Sequence, residues 1–151
     1  MNTTNTTNTT NTALHDAIIA GDAAAVRRAI ADGADVNAVH GYHSMLTIAA
    51  RGCLGEMPDV VRALLDAGAE VNPASGARPL YWAIVCGRPE TVRLLLDAGA
   101  TVTDDDRRNA RDMVTSSRAA CAQWDGATQD DMRAAEACHK MSADIAQQLA
   151  A

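Results

Sequence analysis

Phenylalanine is absent from this 151-residue chain, and its aromatic complement is two tryptophans and two tyrosines. A core built on large rings is excluded. The 32 alanines point instead to helices packed at close range through small and aliphatic side chains. Lysine is nearly absent: Lys140 stands alone against 12 arginines, a bias that fits a GC-rich, bacterial genome. No apolar run reaches the length that crosses a bilayer, and no secretory leader opens the chain. A cytoplasmic protein without a membrane partner is therefore expected.

The motifs of several chemistries are missing as well. The four cysteines, at 53, 86, 121 and 138, form no C-x-x-C pair, so neither a zinc knuckle nor a thioredoxin-type site is indicated. They read as free thiols of a reducing cytosol, with a Cys121–Cys138 disulfide across a helical hairpin as the alternative. Lys140 lies between His139 and Met141, which rules out a phosphate-binding P-loop. No G-x-G-x-x-G, G-x-S-x-G or H-E-x-x-H occurs. No catalytic constellation, cofactor or metal is expected.

The length suits one domain that folds without staples. The net charge of −6 argues against nucleic acid as a partner, because phosphate binding needs a surplus of cations. Residues 1–12 contain Met, Asn and Thr alone, and such low-complexity sequence reads as a disordered tail.

Beyond the tail the chain repeats itself. Val26 to Asn37, Val61 to Asn72 and Val92 to Thr103 share a Val-Arg start, aliphatic residues, and a Gly-Ala-x-Val ending. A second block precedes each: Thr12-Ala13-Leu14-His15-Asp16-Ala17, Ser44-Met45-Leu46-Thr47-Ile48-Ala49, and Arg78-Pro79-Leu80-Tyr81-Trp82-Ala83. The anchors Leu14, Leu46 and Leu80 and the glycines Gly33, Gly68 and Gly99 both recur with a mean period of 33 residues. Val26, Ala29 and Ile30, with their counterparts Val61, Leu64, Leu65 and Val92, Leu95, Leu96, each form an apolar stripe at i, i+3, i+4 on a short helix. Gly33, Gly68 and Gly99 follow as helix stops, and Pro58 and Pro89 stand near helix starts. A single pair of such helices cannot bury its own apolar face, so neighbours must stack.

This period and these two blocks resemble the ankyrin repeat over residues 12–103. The first block is similar to the family's T-P-L-H-x-A signature, best kept by Thr12, Leu14, His15 and Ala17. Thr47 and Tyr81 replace its histidine in the later repeats, which loosens the hydrogen-bond network the family expects. The resemblance implies an all-α solenoid of helix-turn-helix units with short hairpin fingers. Its repeats fall at about 13–38, 39–73 and 74–103, with a degenerate one at 104–123. Residues 124–151 read as a capping helix, with Met132, Ala135, Cys138, His139 and Ile145 or Leu149 inward. Cys53-Leu54-Gly55-Glu56-Met57 lengthens the inter-helix loop of the second repeat.

The resemblance further implies a non-catalytic protein-binding module that uses its finger tips and concave face. By matching repeat positions, the expected contact residues are Asp35, His40, Tyr42 and His43 on the first finger and Arg51 on the second inner helix. Ser75, Arg78, Trp82 and Val85 follow in the third repeat, and Asp104 and Asp105 extend the same edge. His40 and His43 flank Gly41-Tyr42 without further ligands nearby, so they read as turn residues rather than a metal site. His15 reads as structural. Trp82 has two readings, packing between repeats or a binding anchor, and Tyr42 reads as a contact residue. A small acidic binder with no visible output domain suits a monomeric bacterial inhibitor of the immunity-protein or antitoxin type, steered toward a basic toxin or enzyme. The alternative is an adaptor or a secreted effector that binds a host protein.

Overall fold

The computed structural model describes residues 3–52, 55–74, 76–122, 140 and 143–150. In chain order the elements are α1 (Thr3–Ala20), α2 (Ala23–Ala31), β1 (Val39–His40), β2 (His43–Ser44), α3 (Met45–Arg51), α4 (Pro58–Asp66), α5 (Pro79–Val85), α6 (Pro89–Asp97) and α7 (Asp104–Ala122). Three antiparallel hairpins, α1–α2, α3–α4 and α5–α6, stack side by side. Helices α1, α3, α5 and α7 neighbour one another in an inner layer, and α2, α4 and α6 form an outer one.

The repeated residues make columns through this stack. Leu14, Leu46 and Leu80 are buried, as are Ala17, Ala49 and Ala83 beside them. In the outer layer Val26, Val61 and Val92 form a third column, and Ala29, Leu64 and Leu95 a fourth. Ile30, Leu65 and Leu96, the third members of each expected stripe, are half-buried. With alanine at one inner position of every repeat, the helices approach closely without an aromatic ring to fill space.

Each outer helix ends in the same way. The N–H groups of Ala34, Ala69 and Ala100 donate to the carbonyls of Ala29, Leu64 and Leu95 at 3.0, 3.0 and 2.9 Å. Gly33, Gly68 and Gly99 supply the positive φ, near +90°, that this closure needs. Pro58, Pro79 and Pro89 open α4, α5 and α6, where their missing N–H leaves no bond unmade.

Between repeats, asparagine side chains act as rungs. Asn37 accepts from the N–H of Glu70 at 2.8 Å and donates to the carbonyl of Gly68 at 3.4 Å. Asn72 does the same one repeat later, accepting from Thr101 at 2.8 Å and donating to Gly99 at 2.9 Å. Asn11 accepts from Asp35 N–H at 2.8 Å ahead of the first repeat. That bond lies in the segment expected to be a tail. Helix α1 crosses the expected boundary at residue 12, because the Asn/Thr stretch continues the first inner helix and Asn11 is tied to the loop beyond α2.

Thr47 corrects another expectation. Fully buried, it donates from its hydroxyl to the Ala77 carbonyl at 2.7 Å, while its N–H is capped by Ser44. The change from histidine therefore keeps a bond between repeats. The lengthened loop is also built in: Glu56 accepts from Thr91 N–H, at the start of α6, at 2.9 Å, and Arg88 donates to the Gly52 carbonyl at 2.9 Å.

At the C-terminal end, Thr103 and Asp106 cap α7 reciprocally. Residues 143–148 are helical, and Ile145 and Leu149 are buried, with the Leu149 carbonyl accepting from Arg107 at 3.2 Å. Met132, Ala135, Cys138 and His139 lie outside the described residues, as do Cys53, Ser75 and the Cys121–Cys138 pairing. Among the described residues no helix is long and apolar enough to cross a membrane.

Candidate functional site

The first hairpin finger is a two-residue turn, Gly41-Tyr42, closing a short antiparallel ladder in which His40 faces His43 and Val39 faces Ser44. Tyr42 sits at its tip, 84% exposed, and Val39 is 66% exposed. The tip is held from behind, since the Tyr42 carbonyl accepts from Ala77 N–H of the next loop at 3.2 Å. The backbone is thus fixed and the ring stands in solvent.

Below the finger, three side chains pack on Trp82. The His43 ring meets the indole edge-on with centroids 5.7 Å apart, and Tyr81 does so at 5.6 Å. The Arg51 guanidinium lies 5.1 Å from the indole centroid, within reach of a cation–π contact. Trp82 is half-buried, so it is at once a packing element and part of the surface. Val85 and Tyr81, one turn apart on α5, are 43% and 39% exposed. On the inner layer these groups present aromatic and apolar surface, with the Arg51 charge over the indole.

His40 turns the other way and stacks on His15, centroids 4.3 Å apart and planes 24° from parallel. His15 also approaches the Asp16 carboxylate at 3.4 Å, although the two are neighbours in sequence. Among the described residues no group of three or more His, Cys, Asp or Glu could hold a metal ion.

Several expected contact residues are occupied within the protein. Arg78 donates to Thr103 Oγ1 at 3.2 Å, to the Thr101 carbonyl at 2.8 Å and to Asp106 Oδ2 at 2.5 Å. Its guanidinium clasps the start of α7 to the start of α5. Asp35 accepts from Asn37 N–H at 2.9 Å and shapes its own turn. Asp104 and Asp105 form surface pairs with Arg107 and Arg108, each at 3.3 Å, and remain exposed. Ser75 is not among the described residues.

Tyr81, Val39 and Ile19 are exposed apolar side chains outside the expected contact set. Ile19, Arg51 and Val85 each stand five residues after an anchor leucine, so the repeat alignment contained the signal for Ile19, which is 37% exposed. Val39 carried none, because an isolated valine beside a turn reads as strand.

No curated protein matches the chain in sequence. The family model "Ankyrin repeats (3 copies)" matches residues 40–106, and the model "Ankyrin repeat" matches residues 10–41. The two cover the stacked hairpins and stop where the repeat pattern gives way to α7. Proteins of this family are generally non-catalytic modules for binding other proteins. With the helix columns, the asparagine rungs and both matches in agreement, this chain belongs to the ankyrin-repeat family.

Proposed function

We propose that this protein is a non-catalytic inhibitor that binds one partner protein with its first finger and inner face and covers that partner's working surface. The observation that carries the reading is the exposed Tyr42, Val39, Tyr81 and Val85 together with the half-buried Trp82, over which Arg51 lies. Exposed tyrosine, half-buried tryptophan and an arginine over its ring are the residue types that concentrate binding energy at protein interfaces. They are mounted on a repeat stack and a pinned turn, so little ordering is needed on association.

The net charge of −6 and the exposed carboxylates of Asp35, Glu70, Asp104 and Asp105 favour a basic partner, as electrostatic steering does. A basic toxin or enzyme held by an immunity protein or antitoxin of bacterial type fits these features, with the binder monomeric and cytoplasmic.

The test is capture from the source organism's lysate on immobilised protein, with Tyr42→Ala plus Trp82→Ala as the control. The captured enzyme is then assayed with and without stoichiometric binder. One basic partner, lost in the double variant and inactive in complex, is the expected result. A partner whose activity is unchanged would make the protein an adaptor. Equal capture by both proteins would move the contact off this face.

A further inference from the structure

We propose that the groove between the first finger and the loop following α4 receives one arginine side chain of the partner. Glu70 would pair its charge and Tyr42 would stack on its plane. The inference rests on the protein-binding reading above and adds the chemistry the partner must present there.

The groove has a volume of about 310 Å³, at the small end for ligand clefts, which suits one long side chain rather than a folded segment. Tyr42 and Val39 line one wall, and Glu70, Pro73 and Ala74 the other. Among the described lining residues Glu70 alone carries charge, and no arginine or lysine borders the groove to neutralise it. Among the described residues the Glu70 carboxylate has no hydrogen-bond or ion-pair partner, whereas the acids at the next edge, Asp104 and Asp105, are each paired with an arginine.

Both walls are set in advance. Asn37 holds the backbone of Glu70 through its N–H, and Ala77 holds the backbone of Tyr42 through its carbonyl. Only the two side chains remain free to close on a guest. A planar guanidinium can stack on a phenol ring while it donates two parallel bonds to a carboxylate; a lysine ammonium can do neither. The corresponding position in the preceding repeat is Asp35, turned into its own loop, and in the following repeat it is the uncharged Thr101. Glu70 differs from both in that its carboxylate borders a groove with an exposed ring.

The experiment titrates the isotope-labelled full chain with N-acetyl-arginine methylamide, followed by amide chemical shifts. The citrulline analogue, equal in shape and uncharged, and the lysine analogue serve as comparisons. Saturating shifts at Tyr42, Glu70, Ala74 and Gly76 are expected with arginine, and weaker ones with lysine. In Glu70→Gln the dissociation constant should rise about threefold to fivefold, in the range of a solvent-exposed ion pair. Citrulline shifts equal to those of arginine, unchanged binding in Glu70→Gln, or lysine binding as strong as arginine would each overturn the proposal. Partner capture by the Trp82 surface is read separately, so failure here with capture intact removes only the groove assignment.

Discussion

Arg78, the N-cap residue of α5, and Asp106 on α7 form an ion pair at 2.5 Å across 28 positions of sequence, and the carboxylate end is completely buried. Asp106 also accepts from the N–H and hydroxyl of Thr103, so one oxygen gathers three donors. The pair joins the last regular hairpin to the helix that closes the stack. Replacing Arg78 with Met should destabilise the protein by about 2 kcal/mol, less than for a fully enclosed pair because the guanidinium is partly exposed. Urea unfolding measures the loss. A variant of unchanged stability that bound its partner less well would return Arg78 to the contact surface.

The asparagine rungs should be additive across the stack. Asn72→Ala removes two bonds and should cost about 1–2 kcal/mol. Asn37→Ala should cost less, since its bond to the Gly68 carbonyl is longer, 3.4 Å against 2.9 Å. Denaturation midpoints of the two single variants and the double variant test both the order and the sum.

Gly52 and Gly33 offer a controlled comparison. Both have positive φ, but a Cβ on Gly33 would meet nothing within 4 Å, while one on Gly52 would lie 2.1 Å from the Gly55 carbonyl oxygen. Gly33→Ala should cost about 1 kcal/mol, the left-handed backbone alone. Gly52→Ala should cost about 3 kcal/mol or more, because backbone must also move. Thermal melts of the pair would contradict this if the two values were equal.

Glu56 caps the helix of the next repeat rather than its own, through Thr91 N–H at 2.9 Å. Glu56→Ala should therefore lose about 1 kcal/mol, the size of a helix-cap effect. Hydrogen exchange should show the loss as faster opening at the start of α6.

Tyr42→Ala should leave stability within about 0.5 kcal/mol of the parent, because the ring stands in solvent. Trp82→Ala should cost more, since it removes contacts to His43, Tyr81 and Arg51, yet circular dichroism should report an intact helical fold. Unfolding in Trp82→Ala would assign that residue to the core and not to the surface.

The repeat columns were legible because stacking demands the same residue type at the same place each time. Leu14, Leu46 and Leu80, and the glycines ending the outer helices, announce themselves by recurrence. Tyr42 was legible for the opposite reason: an aromatic ring in a tight turn has no core to enter. The internal bonds of Arg78 were not legible, because its partners Thr101, Thr103 and Asp106 lie more than 20 residues away in the chain. The tail boundary was misplaced at residue 12, since composition reports what a segment cannot bury and says nothing of a helix continued from one end.

The sequence by itself determined the period, the helix ends, the apolar columns and the acidic balance, all consequences of local conformation and of burial repeated every 33 residues on average. The tertiary structure decided which charges are spent inside the protein and which face outward. Arg78 and Arg51 look alike in the chain. One is consumed by a buried carboxylate, and the other lies over an indole at the surface. That difference depends on what distant segments bring into contact, and electrostatic partners, unlike helical stripes, leave no periodic trace along the chain.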